Sequence, residues 1–496
     1  MSLMSNFTSG FIQVLDPSVL LFCVLGVIVG IIFGAVPGLT ATTGVAMFTP
    51  MTFGMPMSSS FAFLLGIYCG GYYAGSIPAV LIRTPGSPGN AATCLDGYPM
   101  CKKGQAGRAL SLSVTASCIG GIFSAMCLFF FAPIISNMAL KFGPAEYFAI
   151  ALMGMTCIAS VSGKDLIKGV IGALIGINIS MIGMDSISGV SRFTFGHVRM
   201  MSGVSLVPAL IGLFALTEVL SKTEKIGQDD IRNIDSFNFH LPNFKEYWSI
   251  RWALFKSCVI GTVIGAIPGT GPTIAAWMAY NEAKRSSKNP EEYGHGSAEG
   301  IVACESSTNA TTGGALIPLL TLGIPGDSVT AVLLGALMIQ GLTPGPMMLR
   351  ENFGILSFFL WILIIANFIM LFLGLFGSKF FPYILAVPSK ILFPFVIVLC
   401  MLGSFSSANS FFDLKAVVVI GVLGYVLLKL GFTMPPLVLG FILGPIIESS
   451  FQRAMIGSNQ NPLIFISSPL SIGIYSFTIV ITAMMYLRQK RDSKQT

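Results

Sequence analysis

The feature of this chain that most restricts its fold is a segment that occurs twice. Residues 30–38 (GIIFGAVPG) return as residues 261–269 (GTVIGAIPG), at an offset of 231. A second pair follows, because residues 77–78 and 85–86 (Ile-Pro and Pro-Gly) match residues 317–318 and 325–326, at an offset of 240. Each half therefore has two apolar stretches that run into Pro-Gly. Because Gly and Pro interrupt helices, the repeat predicts two halves of similar architecture, each with two broken helices.

The composition is that of a membrane protein. Hydrophobic residues make up 54% of the chain and charged residues 10%, whereas a soluble domain carries about 25% charged residues. Many apolar stretches approach the roughly 20 residues that cross a bilayer as a helix. Eight are clear, at about 17–36, 59–82, 109–135, 145–162, 203–220, 353–377, 391–411 and 463–487. Others are short, Gly-rich or broken by Pro, so we predict an all-α polytopic protein with about 12 transmembrane helices, some broken or re-entrant.

Several function classes lack support in the sequence. The ten cysteines are scattered without a C-x-x-C, and the three histidines lie far apart, so neither a metal site nor a nucleophile–base set is expected. Residues 269–275 superficially resemble a dinucleotide loop, but they follow an apolar span and not a strand. The net charge of +7 arises in loops, where it orients a membrane protein and implies no nucleic acid. We therefore predict that the chain is not an enzyme and needs no cofactor.

Loop charges predict the orientation. Basic residues are concentrated in three places: the tail after residue 487, the segment 83–108 and the polar stretch 221–251. By the positive-inside rule these are cytoplasmic, and the amino terminus, which has no Lys or Arg before Arg83, is external. The first apolar stretch has no preceding positive segment and runs into Pro-Gly, so we expect it to stay as a transmembrane helix and not to be removed as a signal peptide.

The same charges predict that the two halves are inverted. After the first Pro-Gly, residues 48–57 carry no charge, whereas the equivalent residues 281–288 are basic. After the second Pro-Gly the asymmetry reverses, because 83–108 is basic and 327–349 has no Lys or Arg. Equivalent points then face opposite sides, as in inverted-topology repeats, although a parallel duplication is the alternative. We predict a first repeat at 1–220, a cytoplasmic connecting segment at 221–251 and a second repeat at 252–496.

Inverted repeats favour alternating access to a central site. The sequence has no G-x-x-x-x-G-K-[ST] motif, so an ion gradient is a better energy source than ATP. The predicted function is therefore secondary transport. A passive channel or a structural membrane scaffold is the alternative, and uptake that persists without an ion gradient would favour the channel.

The polar residues near the Pro-Gly breaks form the predicted site. Broken helices free backbone amides, which attract carboxylates, and carbonyls, which coordinate small cations. Side-chain hydroxyls and amides can bind a carboxylate without the cost of burying a charge. The alternative is that each Ser or Thr hydroxyl only bonds the backbone of its own helix. The predicted substrate-binding residues are Pro37, Gly38, Thr40, Thr42, Thr43, Pro268, Gly269, Gly271, Ser306, Ser307, Thr308, Asn309, Thr311, Thr312, Pro325 and Gly326.

Three residues are predicted to couple transport to a cation. Glu305 and Asp327 are acids in apolar surroundings, where an ionisable residue is a functional candidate, although Asp327 could instead cap the next helix at the membrane surface. Asn309 adds a neutral oxygen beside the freed carbonyls, which suits Na⁺. We predict a Na⁺ site near Asn309, with H⁺ carried by Glu305 as the alternative.

These motifs resemble a known family. Residues 30–39, 267–271 (IPGTG) and above all 293–305 (YGHGSAEGIVACE) through 320–326 (LTLGIPG) are similar to the large membrane subunit of the tripartite tricarboxylate transporters, the TctA family. The resemblance extends from about residue 15 to 485. Two positions depart from the family pattern: Thr308-Asn309 stands where two adjacent asparagines are usual, and Asp327 stands where a small residue is common.

The resemblance implies a location, partners and a substrate class. It implies a multi-pass protein of the bacterial inner membrane that works with a small four-helix membrane subunit and a periplasmic solute-binding protein. It also implies import of di- or tricarboxylates such as citrate, coupled to a cation gradient.

Overall fold

The computed structural model describes residues 3–36, 39–161, 166–224, 244–385, 389–408 and 410–492, and these are almost entirely helical. The helices of the first half are α1 (Leu3–Val14), α2 (Pro17–Ala35), α3 (Ala41–Phe48), α4 (Met57–Ala74), α5 (Ser76–Ile82), α6 (Thr93–Lys102), α7 (Ala106–Ala139), α8 (Pro144–Val161), α9 (Leu166–Ser180), α10 (Leu206–Leu210) and α11 (Thr217–Thr223). Those of the second half are α12 (Phe244–Ala266), α13 (Gly271–Ser286), α14 (Ala298–Leu322), α15 (Ser328–Ile339), α16 (Pro346–Glu351), α17 (Phe353–Phe376), α18 (Phe381–Leu385), α19 (Ser389–Ala408), α20 (Phe411–Lys429), α21 (Met434–Gly457) and α22 (Pro469–Asp492).

Short elements connect these helices. Six 3₁₀ turns occur at Thr49–Thr52, Pro88–Asn90, Val198–Ser202, Pro290–Glu292, Gly377–Phe380 and Pro462–Ile466 in the described part of the chain. A π-helical stretch, Ile211–Leu216, lies between α10 and α11. The strands β1 (Gly183–Met184) and β2 (Ser191–Arg192) pair antiparallel, with Gly183 opposite Arg192.

Eight helical segments in the described residues are long and apolar enough to span a bilayer: Pro17–Ala35, Met57–Ile82, Ala106–Ala139, Leu206–Thr223, Lys245–Ala266, Phe353–Phe376, Phe411–Lys429 and Met434–Gly457. Shorter apolar helices occur at Ile167–Ser180, Ser328–Ile339, Val396–Phe405 and Pro469–Val480. The chain is thus an all-α membrane protein. The number of about 12 spans and the inverted relation of the halves remain predictions.

The chain forms two compact units, and each takes residues from both halves of the sequence. Unit 1 comprises Met1–Ser136 and Lys222–Gly403, and unit 2 comprises Asn137–Ser221 and Ser404–Thr496. The predicted repeats at 1–220 and 252–496 divide the chain in another way, because each repeat contributes to both units. Of the predicted connecting segment 221–251, residues 225–243 lie outside the described residues, and α12 already begins at Phe244.

Glycines allow the helices of unit 1 to pack closely in matched pairs. In the first half α2 packs on α4, and a Cβ added at Gly30 would lie 2.5 Å from the carbonyl oxygen of Ile67. In the second half α12 packs on α14, and a Cβ at Gly261 would lie 2.2 Å from the carbonyl oxygen of Ser307. Such distances exclude any side chain, so the repeated glycines allow the close approach of both helix pairs.

In each half the second Pro-Gly break lies against the end of the helix that leads to the first break. A Cβ at Gly86 would lie 2.2 Å from the Gly34 carbonyl oxygen, and a Cβ at Gly326 would lie 2.6 Å from that of Gly265. In the second half the Gly269 N–H donates to the Gly326 carbonyl at 2.8 Å. The backbone of one break therefore approaches the helix end at the other, which brings the polar residues after each break into the core of unit 1.

Candidate functional site

Glu305 lies in the middle of α14 and is fully buried. Its Oε1 accepts from the Thr93 hydroxyl at 2.5 Å and from Asn90 Nδ2 at 3.2 Å, and its Oε2 is 3.4 Å from the Ser117 hydroxyl. All three donors are neutral, fully buried and from the first half of the sequence. The acid of one half is thus solvated by hydroxyls and an amide of the other, as burial of a polar group requires.

Asn309 lies one turn after Glu305 on α14 and is also fully buried. Its Nδ2 donates to Ser117 Oγ at 2.8 Å and to the Glu305 carbonyl at 3.2 Å. Its Oδ1 has no hydrogen-bond partner among the described residues. A buried amide oxygen without a donor has its lone pairs available for a small cation or another donor.

Asp96 fixes the position of α6, the helix that carries Thr93. Its buried Oδ1 accepts from the backbone N–H groups of Gly294, Gly296 and Ser297 at 2.8–2.9 Å. These residues precede α14, whose first turn is capped by Ser297. Gly294 and Gly296 have φ of 90° and 110°, which favours glycine and turns their N–H groups toward the carboxylate. One side chain therefore fastens α6 to the start of α14.

Asp327 is a further buried acid and lies where α15 begins. Its Oδ1 accepts from the Thr330 N–H and hydroxyl, both at 2.8 Å, in a capping box. Its Oδ2 accepts from the Tyr68 and Tyr72 hydroxyls of α4, both at 2.6 Å. The residue caps the next helix, but it does so with 3% of its surface exposed.

Neither Glu305 nor Asp327 has a basic partner in the described part of the chain. Ion pairs in the described residues join Arg108 to Glu246, Arg192 to Glu448, and both Lys256 and Arg285 to Glu282. Glu305 and Asp327 are held only by neutral donors. Because an uncompensated charge is costly in a membrane protein, this arrangement identifies both as functional candidates.

One of the predicted first-half threonines meets the second half beside Asp327. Thr40 caps α3 by accepting from the Thr43 N–H at 3.2 Å. Thr42 Oγ1 lies 2.9 Å from the hydroxyl of Ser328, the residue after Asp327. Pro37 and Gly38, which were predicted to belong to this site, lie outside the described residues.

The other predicted residues separate into two groups. Pro268, Gly269 and Gly271 precede or begin α13, and Gly269 bonds Gly326, which follows Pro325. The hydroxyls of α14 mostly bond their own helix: Ser306, Ser307, Thr311 and Thr312 donate to carbonyls three residues earlier. Thr308 is different, because its hydroxyl donates to the Gly89 carbonyl in the first half of the sequence, at 3.4 Å.

Six residues that contact Glu305 or Asp327 are not among those predicted from the sequence: Tyr68, Tyr72, Asn90, Thr93, Ser117 and Thr330. The segment 83–108 was treated as a basic loop, yet it contains the turn Pro88–Asn90 and α6. One signal was present, because Asn90 and Thr330 both lie four residues after a matched Pro-Gly.

The chain was compared with known proteins. The model of the tripartite tricarboxylate transporter TctA family matches residues 20–439. The "Uncharacterized 52.8 kDa protein in TAR-I ttuC' 3'region" of Agrobacterium vitis is 34% identical over 99% of this chain and 98% of its own length. An "Uncharacterized protein in TAR-II ttuC' 3'region" of the same organism is 37% identical over 47% of this chain and 97% of its own length. No solved structure matches. The extent of the family match shows that this chain belongs to the tripartite tricarboxylate transporter TctA family.

Proposed function

We propose that this chain is the permease subunit of a binding-protein-dependent secondary transporter that imports carboxylates with a cation gradient. The observation that carries the proposal is Glu305, a buried acid without a basic partner in the described residues, held by neutral donors of the opposite half. Such a group can exchange a proton or a cation during a transport cycle. Membership of the family supplies the transport context.

The proposed coupling ion is Na⁺, bound beside Asn309. The Asn309 Oδ1 supplies a neutral oxygen that lacks a donor among the described residues, and the Glu305 carboxylate lies one helical turn away. Asn309 lies inside the continuous helix α14. In inverted-repeat transporters carbonyls of broken helices coordinate Na⁺, and the segment after the Pro85-Gly86 break reaches this place through Asn90, which donates to Glu305. A proton on Glu305 is the alternative form of coupling.

The proposed place for a substrate carboxylate is the start of α13, with Thr42 and Ser328 nearby. α13 has no side-chain cap, whereas α3 and α15 are capped by Thr40 and Asp327. Pro272 lacks an N–H, but the N–H groups of Gly271 and Thr273 are not occupied by a capping side chain and suit an anion. The proposed partners are a small four-helix membrane subunit and a periplasmic solute-binding protein, in the bacterial inner membrane.

The test is uptake by the complete complex reconstituted in vesicles, with a carboxylate panel. Na⁺ and pH gradients are imposed separately, with choline replacing Na⁺ at fixed pH. We expect Na⁺-driven uptake in the wild type and its loss in Glu305→Gln. Asp413→Asn is the matched control, because Asp413 is a buried acid of unit 2 that accepts from Ser205. Uptake that proceeds equally without any gradient would mean a channel, and uptake that follows only the pH gradient would make Glu305 a proton carrier.

A further inference from the structure

The helix α5 ends at Arg83 in a backbone conformation that suits glycine. Arg83 has φ 57° and ψ 25°, in the left-handed region, and its N–H donates to the Pro78 carbonyl. At the matched position of the second half, 240 residues on, α14 ends at Gly323 with φ 72° and ψ 19°, and its N–H donates to the Pro318 carbonyl. Both halves end this helix with the same turn, but only the second half uses the residue that adopts it without strain.

The surroundings of Arg83 leave its charge without an acidic partner. Arg83 and Lys102 are both exposed, and neither forms an ion pair with a described residue. The Arg83 guanidinium lies 5.9 Å from the centre of the Tyr98 ring on α6, and the Lys102 amine lies 5.1 Å from the centre of the same ring. Asp96, the acid of α6, is buried and accepts from the backbone before α14. Two cations therefore gather at one ring, and such an excess of positive charge attracts an anion.

The Tyr98 ring lies on a face of α6 that leads to Glu305. Cys94, Tyr98 and Lys102 are spaced four residues apart on this helix, so they share one face, from the half-buried Cys94 to the exposed Lys102. The Cys94 thiol is within electrostatic reach of both the Glu305 carboxylate and the Arg83 guanidinium. This face of α6 therefore connects the buried acid with the two exposed cations.

The orientation of the protein in the membrane does not by itself explain Arg83. A positive charge anywhere in the segment 83–108 would serve the positive-inside rule, and Lys103 and Arg108 already supply two. A left-handed position would not be needed for that purpose. A guanidinium can instead pair with a carboxylate through two parallel N–H bonds, and a lysine amine beside it adds a point charge.

We propose that Arg83, Tyr98 and Lys102 form a second carboxylate-binding site, at the opening of the substrate path on the side where the segment 83–108 lies. The guanidinium and the amine bind the carboxylate, and the ring packs against its carbon chain. This inference rests on the proposed function, because it concerns the path of the same substrate. The segment 83–108 is predicted to be cytoplasmic, so the site would hold the carboxylate on the side of its release.

The test is amine footprinting of the complete complex in detergent, where both sides are accessible. The rate at which an acetylating reagent modifies Lys102 is followed by peptide mass spectrometry at increasing concentrations of citrate or succinate. We expect both probes to slow the modification of Lys102 and not that of Lys284, an exposed lysine of α13. Chloride and inorganic phosphate, at the same ionic strength, should slow it much less. In Arg83→Gly the probe concentration for half-maximal protection should rise at least about tenfold.

Arg83→Gly also separates binding from a structural role. Glycine suits the left-handed turn, as at Gly323, so the apparent melting temperature should be unchanged or higher, whereas loss of a structural contact would lower it. Arg83→Asn is a second neutral variant that tolerates this conformation, and it should lose protection in the same way. The control is Lys284→Gln, which removes a positive charge of α13 and should leave the protection of Lys102 as in the wild type.

Three results would contradict the inference: no protection of Lys102 in the wild type, equal protection by phosphate, or protection that persists in folded Arg83→Gly. The proposed function is judged separately, by carboxylate uptake of the wild-type complex in vesicles. If uptake occurs and one of these three results is found, the second site is wrong while the proposed function stands. If the complete complex takes up no carboxylate, the proposed function fails, whatever the footprint shows.

Discussion

The Thr93 hydroxyl donates to the Glu305 carboxylate at 2.5 Å, although the two residues are 212 positions apart. Asn90, three residues before Thr93, donates to the same oxygen, and both belong to a segment fastened to α14 by Asp96. The hydrogen-bond donors around Glu305, in the second half, therefore come from the first half. Any movement of α6 relative to α14 would change the solvation of Glu305.

Removing the Thr93 hydroxyl should impair coupling more than it impairs folding. Thr93→Val keeps the shape and leaves the Glu305 oxygen without its shortest hydrogen bond, at a cost of about 1–3 kcal/mol. We expect Na⁺-driven uptake to fall by about tenfold or more. Thr93→Ser retains a hydroxyl and should keep most of the activity. Equal uptake by Thr93→Val and the wild type would show that this contact has no part in transport.

Removing the Asn309 side chain should weaken the dependence on Na⁺. Asn309→Ala deletes the amide oxygen that has no donor among the described residues, so the Na⁺ concentration for half-maximal uptake should rise about tenfold or more. Asn367→Ala is the matched control. Asn367 is also buried, and its Oδ1 also has no hydrogen-bond partner among the described residues, but its side chain lies against Gly121 and not beside Glu305. The measurement is uptake against Na⁺ concentration at fixed pH. An unchanged Na⁺ requirement in Asn309→Ala would place the cation elsewhere.

Loss of the Asp96 carboxylate should release the segment before α14. In Asp96→Ala three backbone N–H groups lose their acceptor, and each buried donor left unpaired costs about 1–3 kcal/mol. We expect faster tryptic cleavage after Lys288 and a lower apparent melting temperature in detergent. Asp413→Ala, whose carboxylate accepts a single Ser205 hydroxyl, should leave cleavage after Lys288 unchanged. Cleavage at the wild-type rate in Asp96→Ala would contradict the fastening role.

A methyl group at Gly261 should force α12 away from α14. The added Cβ would lie 2.2 Å from the Ser307 carbonyl oxygen, so the backbone has to move. Overpacking of this kind costs about 1–3 kcal/mol or more, and we expect a lower apparent melting temperature and reduced uptake. Gly473→Ala is the control, because nothing lies within 4 Å of a Cβ at that position of α22. Similar melting temperatures for the two variants would mean that α12 and α14 leave room for a methyl group at Gly261.

The sequence by itself determined the class of the protein and the place of its unusual backbone. The apolar composition predicted the all-α membrane fold, and the family resemblance was confirmed by the match over residues 20–439. The repeated Pro-Gly segments predicted where helices end, because Pro and Gly act on the backbone locally. The sequence also indicated Glu305, Asp327 and Asn309 as site candidates, because polar residues in apolar surroundings are visible without a structure.

Only the tertiary structure decided which polar groups meet. The hydroxyls of Ser307, Thr311 and Thr312 donate to carbonyls of their own helix, because a carbonyl one turn earlier is within reach. Inside a helix a carboxylate finds no free backbone donor, so Glu305 takes its donors from other elements. Asp327 caps α15 with Oδ1, and only its Oδ2 takes donors from another helix, α4. Those partners, Thr93 and Asn90 for one acid and Tyr68 and Tyr72 for the other, are set by how close the glycine-lined helices approach. Helix packing over more than 200 residues of separation fixes these contacts, and the local sequence marks only Asn90, by its place four residues after a matched Pro-Gly.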